Sequence, residues 1–246
     1  MKRIDNFTVK SVEKLTSDIY KTLLSGDTSA VTAPGQFVNI AVDGFYLRRP
    51  ISVCDVEGDE LTVVYRTVGG GTERLSNYLP GDTVSVVSGL GNGFNTERNI
   101  SSPLLIGGGV GVPPLVLLAK ALYKKGLRPK ALLGFRNASD VILTDELGKY
   151  CDVYVATEDG SFGHKGFVTG LLGEAGGDYI YACGPEPMLK AILSASELPA
   201  ELSFESRMAC GMGACLTCTC HTTSGARRIC SDGPVFERED IIWTQR

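Results

Sequence analysis

Cys210, Cys215, Cys218 and Cys230 carry the spacing C-x4-C-x2-C followed by a more distant cysteine. That is the plant-type arrangement for a [2Fe-2S] cluster, in which four thiolates converge on two irons. It constrains the chain more than any other feature, because the backbone between the first three cysteines must curl tightly around sulfur. Ala209, Gly211, Gly213 and Ala214 supply the small residues such a loop needs. The alternative for the same residues is a structural zinc site of four cysteines, for which pairs separated by two to four residues are usual. Only Cys215 and Cys218 form a two-residue-spaced pair, so the spacing favours the cluster.

A chain of 246 residues with 43% hydrophobic residues holds enough apolar material for one large core or two modest ones. A net charge of -4 with mixed signs excludes a strongly basic nucleic-acid surface and a polybasic membrane patch. The opening residues Met1 to Asn6 lead into polar sequence rather than an apolar signal core, and no apolar run approaches the length of a spanning helix. A cytoplasmic location is the expectation. Eight cysteines in that reducing compartment point to metal or redox chemistry more than to a disulfide framework.

The punctuation of the sequence changes along its length. To about Asn95, β-rich runs at 36–40, 61–65 and 83–87 are separated by Gly, Pro and Asp, which reads as a small antiparallel barrel with a short helix near 73–78. From Ser102, strands expected near 104–106, 131–135, 153–156 and 179–182 alternate with helices over 113–124 and 186–194. That alternation implies a parallel sheet covered by helices. The expected domains are a barrel over 1–98, an α/β unit over 99–200 and a small cysteine-rich module over 201–246.

Several strand ends carry residues suited to nucleotides. The run Gly107-Gly108-Gly109-Val110-Gly111-Val112-Pro113-Pro114 joins a buried strand to a helix, so its backbone can approach a diphosphate. It is not G-x-G-x-x-G, and tight packing alone also accounts for such a turn. Asp159 and the strand-end Cys183-Gly184-Pro185 lie at the same carboxyl edge, where open α/β sheets collect ligands. For Asp159-Gly160 an ordinary turn is the alternative, and for Cys183 a buried apolar role. Arg136 also follows a strand, and one Arg there does not decide between NAD and NADP. In the barrel, Arg48-Arg49-Pro50-Ile51-Ser52 and Val64-Tyr65-Arg66 through Gly71-Thr72 combine cations, an aromatic ring and a Gly-rich turn, together suggesting a nucleotide cradle.

The Arg-Pro-Ile-Ser segment, the Gly-Gly-Gly-Val-Gly turn and the Cys-Gly-Pro strand end resemble flavin reductases of the ferredoxin-NADP reductase type. The tail, from Glu205-Ser206-Arg207-Met208-Ala209-Cys210 to Cys230-Ser231-Asp232-Gly233-Pro234, resembles the electron transfer subunits of type B dihydroorotate dehydrogenases. The resemblance implies FAD on Arg49, Pro50, Ile51, Ser52, Val64, Tyr65, Arg66, Gly71 and Thr72, and a [2Fe-2S] cluster on Cys210, Cys215, Cys218 and Cys230. It further implies that NAD+ meets the flavin between the first two domains, with Gly108, Gly109, Gly111, Asp159, Cys183 and Gly184 around it and Cys183 a catalytic candidate near the nicotinamide. The implied partner is an FMN-containing dihydroorotate dehydrogenase catalytic subunit, two copies of each subunit forming a heterotetramer in pyrimidine biosynthesis. Electrons would pass from FMN through the cluster and FAD to NAD+. Cys220 departs from the pattern as an extra thiol near the loop, and His221 is expected to be a surface residue rather than half of a Rieske pair. Two other readings stay open: a small subunit of a ferredoxin-NADP transhydrogenase or sulfhydrogenase, and a zinc-stiffened nucleotide-binding module without catalysis.

Overall fold

Alternating Val, Ile, Leu and Phe in short runs between turn residues fold the first part of the chain into six antiparallel strands. A computed structural model describes residues 2–243. The strands are β1 (Arg3–Lys14), β2 (Ile19–Ser25), β3 (Phe37–Ile40), β4 (Arg49–Glu57), β5 (Glu60–Arg66) and β6 (Thr83–Leu90), with helix α1 (Gly70–Ser76) after β5. They close in the order β1-β2-β5-β4-β3-β6, so that the barrel has no open edge. Phe7, Leu24, Val38, Ile40, Val53, Leu61, Val63, Val84 and Val86 fill its interior.

After a linker the pattern becomes strand and helix in turn. The elements are β7 (Pro103–Gly108), α2 (Pro113–Lys124), β8 (Lys130–Phe135), α3 (Thr144–Gly148), β9 (Asp152–Thr157), β10 (His164–Lys165), α4 (Leu172–Ala175), β11 (Tyr179–Cys183), α5 (Glu186–Ala195) and β12 (Ala200–Ser203). Then come β13 (Thr219–Thr222), β14 (Gly225–Arg228), α6 (Ile229–Asp232) and β15 (Val235–Glu237). The sheet runs β10-β9-β8-β7-β11-β12-β15, parallel except for β15, which pairs antiparallel to β12 with Leu202 opposite Phe236. The expected antiparallel barrel and helix-covered parallel sheet are both present, and α2 spans the residues expected of it.

The chain builds outward from β7 through β8 and β9, then returns to lay β11 on the other side of β7. This reversal leaves a crevice beyond the carboxyl ends of β7 and β11, the usual ligand position in such sheets. Two contacts fix the barrel against that crevice. Ile19, Cys54 and Val64 from the barrel share one apolar cluster with Leu115, Leu118 and Leu122 of α2. Lys120 on α2 places its ammonium 3.0 Å from both carboxylate oxygens of Asp55 on β4.

The cysteine-rich segment rests on both units. Cys218, Ile229, Cys230 and Phe236 pack with Phe37, Val87 and Leu90 of the barrel, while β15 extends the sheet. Among the described residues no helix is long and apolar enough to cross a membrane.

Candidate functional site

The barrel strand β4 opens with Arg49, whose side chain lies across the turn that begins α1. A Cβ added to Gly71 would fall 2.0 Å from Arg49 Nε, so only glycine lets the guanidinium rest on this backbone. Phe45 stacks beneath it, with 4.8 Å between the guanidinium carbon and the ring centre. Thr72 closes the same turn, accepting a hydrogen bond from the Val68 N–H at 2.9 Å and donating to the Gly69 carbonyl at 2.9 Å. The sequence-predicted residues Arg49, Gly71 and Thr72 are thus brought together. Pro50 and Ser52 are half-buried beside them, whereas Ile51 faces the barrel core.

Residues 64 to 66 divide their work. Val64 is buried between barrel and sheet. Tyr65 is buried within the barrel, its hydroxyl 3.2 Å from Thr22 Oγ1 and its pKa pushed up to about 12 by burial. Arg66 turns outward to the crevice, with its Nε 3.0 Å from Asp18 Oδ2.

The crevice is a cleft of about 530 Å³ between Arg66 of the barrel and the strand ends of the sheet. Gly108 and Gly109 form its floor, Gly134 to Arg136 and Glu158 one side, and Pro185 and Met188 the other. Gly111 and Gly184 shape it from behind. A Cβ on Gly111 would stand 2.2 Å from the Cys183 carbonyl oxygen, so its lack of a side chain allows the turn before α2 to lie directly on the end of β11. Asp159 does not line the cleft. Its carboxylate accepts from the Ser161 N–H at 2.9 Å and hydroxyl at 2.6 Å, and those bonds hold its pKa below the ordinary carboxylate value. The adjacent Glu158, which sequence reasoning passed over, faces the cleft instead. Cys183 ends β11 fully buried, and desolvation pushes its thiol up to about 12. It is a neutral group at physiological pH, not a thiolate nucleophile.

The four cysteines share one segment of the chain: Cys210 interacts with Cys215, and Cys230 with both Cys218 and Cys210. The Met212 and Ala214 N–H groups donate to Cys210 Sγ at 3.4 and 3.3 Å, and the Cys230 N–H donates to Cys218 Sγ at 3.4 Å. The Met212 N–H first, then Cys215 and the Ala214 N–H, bring the Cys210 thiol down to about 6 against the opposing effect of burial. A loop that aims amides at sulfur is suited to holding thiolates. Cys218 and Cys230 are buried, while Cys215 is exposed between the exposed side chains of Met212 and Leu216. Cys220 lies on β13, opposite Arg227, and packs on the small core beneath the loop. His221 is exposed, as expected.

One contact ties this loop to the Arg49 strand. Asn39 on β3 lies opposite Pro50 in the barrel register. Its buried side-chain amide donates to the Cys210 carbonyl at 3.3 Å. Nothing in the sequence near Asn39 signals this role, because the partner lies far along the chain.

Comparison with known proteins bears on this geometry. Residues 205–242 match the iron-sulfur cluster binding domain of dihydroorotate dehydrogenase B. A Geobacillus protein named "Dihydroorotate dehydrogenase B (NAD(+)), electron transfer subunit" is 40% identical over 98% of this chain and 100% of its own length. The chain belongs to this family. A Bacillus velezensis protein of the same name is 42% identical over 96% of the chain and 98% of its own length. Among solved structures, an NADH-dependent reduced ferredoxin-NADP oxidoreductase superimposes with a TM-score of 0.87 at 30% identity, over 96% of this chain and 90% of that one. A Neisseria gonorrhoeae ferredoxin NADP+ reductase shares the fold at 16% identity, with a TM-score of 0.64 over 78% of this chain and 89% of that one. The family resemblance expected from the flavin, nucleotide and cysteine motifs is therefore present from end to end.

Proposed function

We infer that this chain is the electron transfer subunit of an NAD+-linked dihydroorotate dehydrogenase and works with FAD, a [2Fe-2S] cluster and NAD+ in pyrimidine biosynthesis. The observation that carries this reading is full-length identity of about 40% to subunits of that name, combined with the match of residues 205–242 to an iron-sulfur cluster binding domain. A zinc ion asks for four ligands around one centre. The C-x4-C-x2-C spacing with a distant fourth cysteine, and the match of residues 205–242 to an iron-sulfur cluster binding domain, favour two irons instead.

Cys210, Cys215, Cys218 and Cys230 would hold the cluster, with the N–H groups of Met212, Ala214 and Cys230 stabilising negative charge on sulfur. Arg49, Pro50, Ser52, Gly71 and Thr72 would hold the flavin on the barrel surface, with Arg66 at the mouth of the cleft. For Ile51, Val64 and Tyr65, burial supports a role in shaping that surface from behind. Gly108, Gly109 and the end of β11 would receive NAD+. When bound, the flavin exchanges a hydride with nicotinamide and single electrons with the cluster, which neither of the others does.

The chain's own residues perform the supporting tasks. Arg49 offers fixed positive charge to a diphosphate. Gly111 lets the backbone of the nucleotide turn come close to β11. Asn39 holds the first cluster cysteine at a set distance from the strand that begins with Arg49. Cys183, kept protonated and buried, supports from behind the end of β11 on which the Gly111 turn rests. The oxidation of dihydroorotate itself belongs to an FMN-bearing catalytic partner, in an assembly of two copies of each subunit located in the cytoplasm. The likeness to the ferredoxin-NADP oxidoreductase supports the transhydrogenase alternative at 30% identity, below the identity to the dihydroorotate dehydrogenase subunits.

Anaerobic coexpression with an FMN-bearing dihydroorotate dehydrogenase tests the reading. Dihydroorotate-dependent NAD+ reduction is expected only from the mixture, together with a reduced two-iron signal in electron paramagnetic resonance. Activity from this chain alone, or absence of that signal, overturns the assignment. The flavin site has its own test in Gly71→Ala: the new methyl displaces the Arg49 guanidinium from this turn, so FAD retention is expected to fall about ten-fold or more while the circular dichroism spectrum is kept.

A further inference from the structure

The cleft carries an arrangement of charge that the reaction so far leaves unused. Arg136 follows β8, the strand beside β7, and lines the cleft. At this place in a dinucleotide fold an acidic residue meets the ribose 2′-hydroxyl of NAD, or an arginine accommodates the 2′-phosphate of NADP. Arg136 taken alone would favour the phosphate.

It is not alone. Asp140, one helical turn further on, accepts from Arg136 Nε at 2.7 Å, and its side chain is only 10% exposed while the arginine is 63% exposed. The carboxylate is held in place by its loop. Asn137 Oδ1 accepts from the Ser139 N–H at 3.0 Å, and the Ala138 N–H donates to Ser161 Oγ at 2.7 Å, the same Ser161 that Asp159 holds. Glu158 adds a second carboxylate to the cleft wall, and Asp18, bound to Arg66, also acts on Arg136. Two arginines and three carboxylates therefore share this end of the cleft, and each arginine is engaged by an aspartate.

We propose that Asp140, together with Glu158 on the cleft wall, is the residue pair that makes the cleft reject NADP and accept NAD. Asp140 cancels the charge that Arg136 would offer a phosphate, occupies its Nε, and presents carboxylate oxygen as an acceptor for a hydroxyl. A 2′-phosphate brought there meets like charge in a partly desolvated site. The proposal rests on the functional reading above, in that the cleft receives a dinucleotide.

The test uses the complete complex and two probes that need no electron transfer, ADP-ribose and 2′-phospho-ADP-ribose, with binding measured by calorimetry. In Asp140→Asn the affinity ratio is expected to move toward the 2′-phosphate compound by about ten-fold, and flavin reduction by NADPH relative to NADH should move the same way. Glu158→Gln should move both ratios in the same direction by less, and serves if the first variant folds poorly. Adding Arg136→Gln to Asp140→Asn should abolish the gain, because the freed guanidinium is its source. An unmoved ratio in both single variants, or a gain that survives loss of Arg136, overturns the proposal. Reduction of the flavin by NADH in the unaltered complex separately checks the functional reading: its absence defeats that reading, whereas its presence with unmoved ratios defeats only this assignment.

Discussion

Asp178 shows how much a single side chain between two elements can determine. Its carboxylate accepts from the Ser101 N–H at 2.6 Å and hydroxyl at 2.7 Å and from the Ser102 N–H at 3.0 Å, pinning the linker to the start of β11. Burial raises its pKa, but these bonds outweigh burial and the net shift is downward from 3.8. The folded protein therefore binds this proton more weakly than the unfolded chain. The resulting stability is fully present above about pH 4 and is lost as the pH falls through the depressed value. Asp178→Asn should flatten the acid limb of a denaturation profile between pH 5 and 2, and an acid limb identical to that of the unaltered protein would refute this. The residue scale is also where the sequence was least legible. The cluster cysteines announced themselves by spacing, but Glu158 and Asn39 did not, since the first differs from Asp159 only by which way a turn directs it. Asn39 acquires its partner only when Cys210 arrives from a segment far along the chain.

At the scale of elements, the turn from β7 into α2 carries the most consequence for the smallest change. Pro113 and Pro114 begin the helix at positions whose amide hydrogens have no intrahelical partner, and Gly111 lies against the backbone of Cys183 and Gly184. Gly111→Ala puts a methyl into a main-chain carbonyl that has no rotamer to give way. A loss of about 1–3 kcal/mol in chemical denaturation is expected, with weaker dinucleotide binding in calorimetry. Most elements were readable because their periodicity was unbroken: β7 and β11 are continuous apolar runs buried on both faces, β8 is nearly so, and β9 is buried over its last three residues. β1 was not. It carries Lys, Asp, Asn and Glu on its exposed positions, and a bulge between Val9 and Ser11 breaks its register with β2. Only Phe7 and Val9 of that strand are buried in the core, with Val12 packed against its edge, too few to mark a twelve-residue strand in advance.

At the scale of the whole molecule, charged joints add to the apolar clusters that pack its units together. Arg98, in the linker, donates to Glu201 Oε1 on β12 at 2.8 Å, pairs with Glu237 on β15, and lies over the Tyr179 ring of β11. Glu201 is 3% exposed, and burial pushes its pKa upward despite the bonds from Arg98 and the Asn95 N–H. Removing the arginine leaves a buried carboxylate uncompensated, so Arg98→Ala should cost about 3 kcal/mol or more in urea denaturation. The double variant with Glu201→Gln should recover part of that loss, because the stranded charge is gone. Equal losses in the single and double variants would show that packing, not charge, was responsible.

The place of β15 has a consequence for the growing chain. β12 is buried along all four residues, yet its outer hydrogen-bonding rim is covered only by a strand that lies beyond the last cysteine. Until the ribosome has delivered Val235 to Glu237 and the sulfur-rich loop has folded beneath them, that rim stands open, a template on which a second nascent chain can add its own strand. The segment that carries the cluster cysteines therefore lies between β12 and the strand that seals its outer edge.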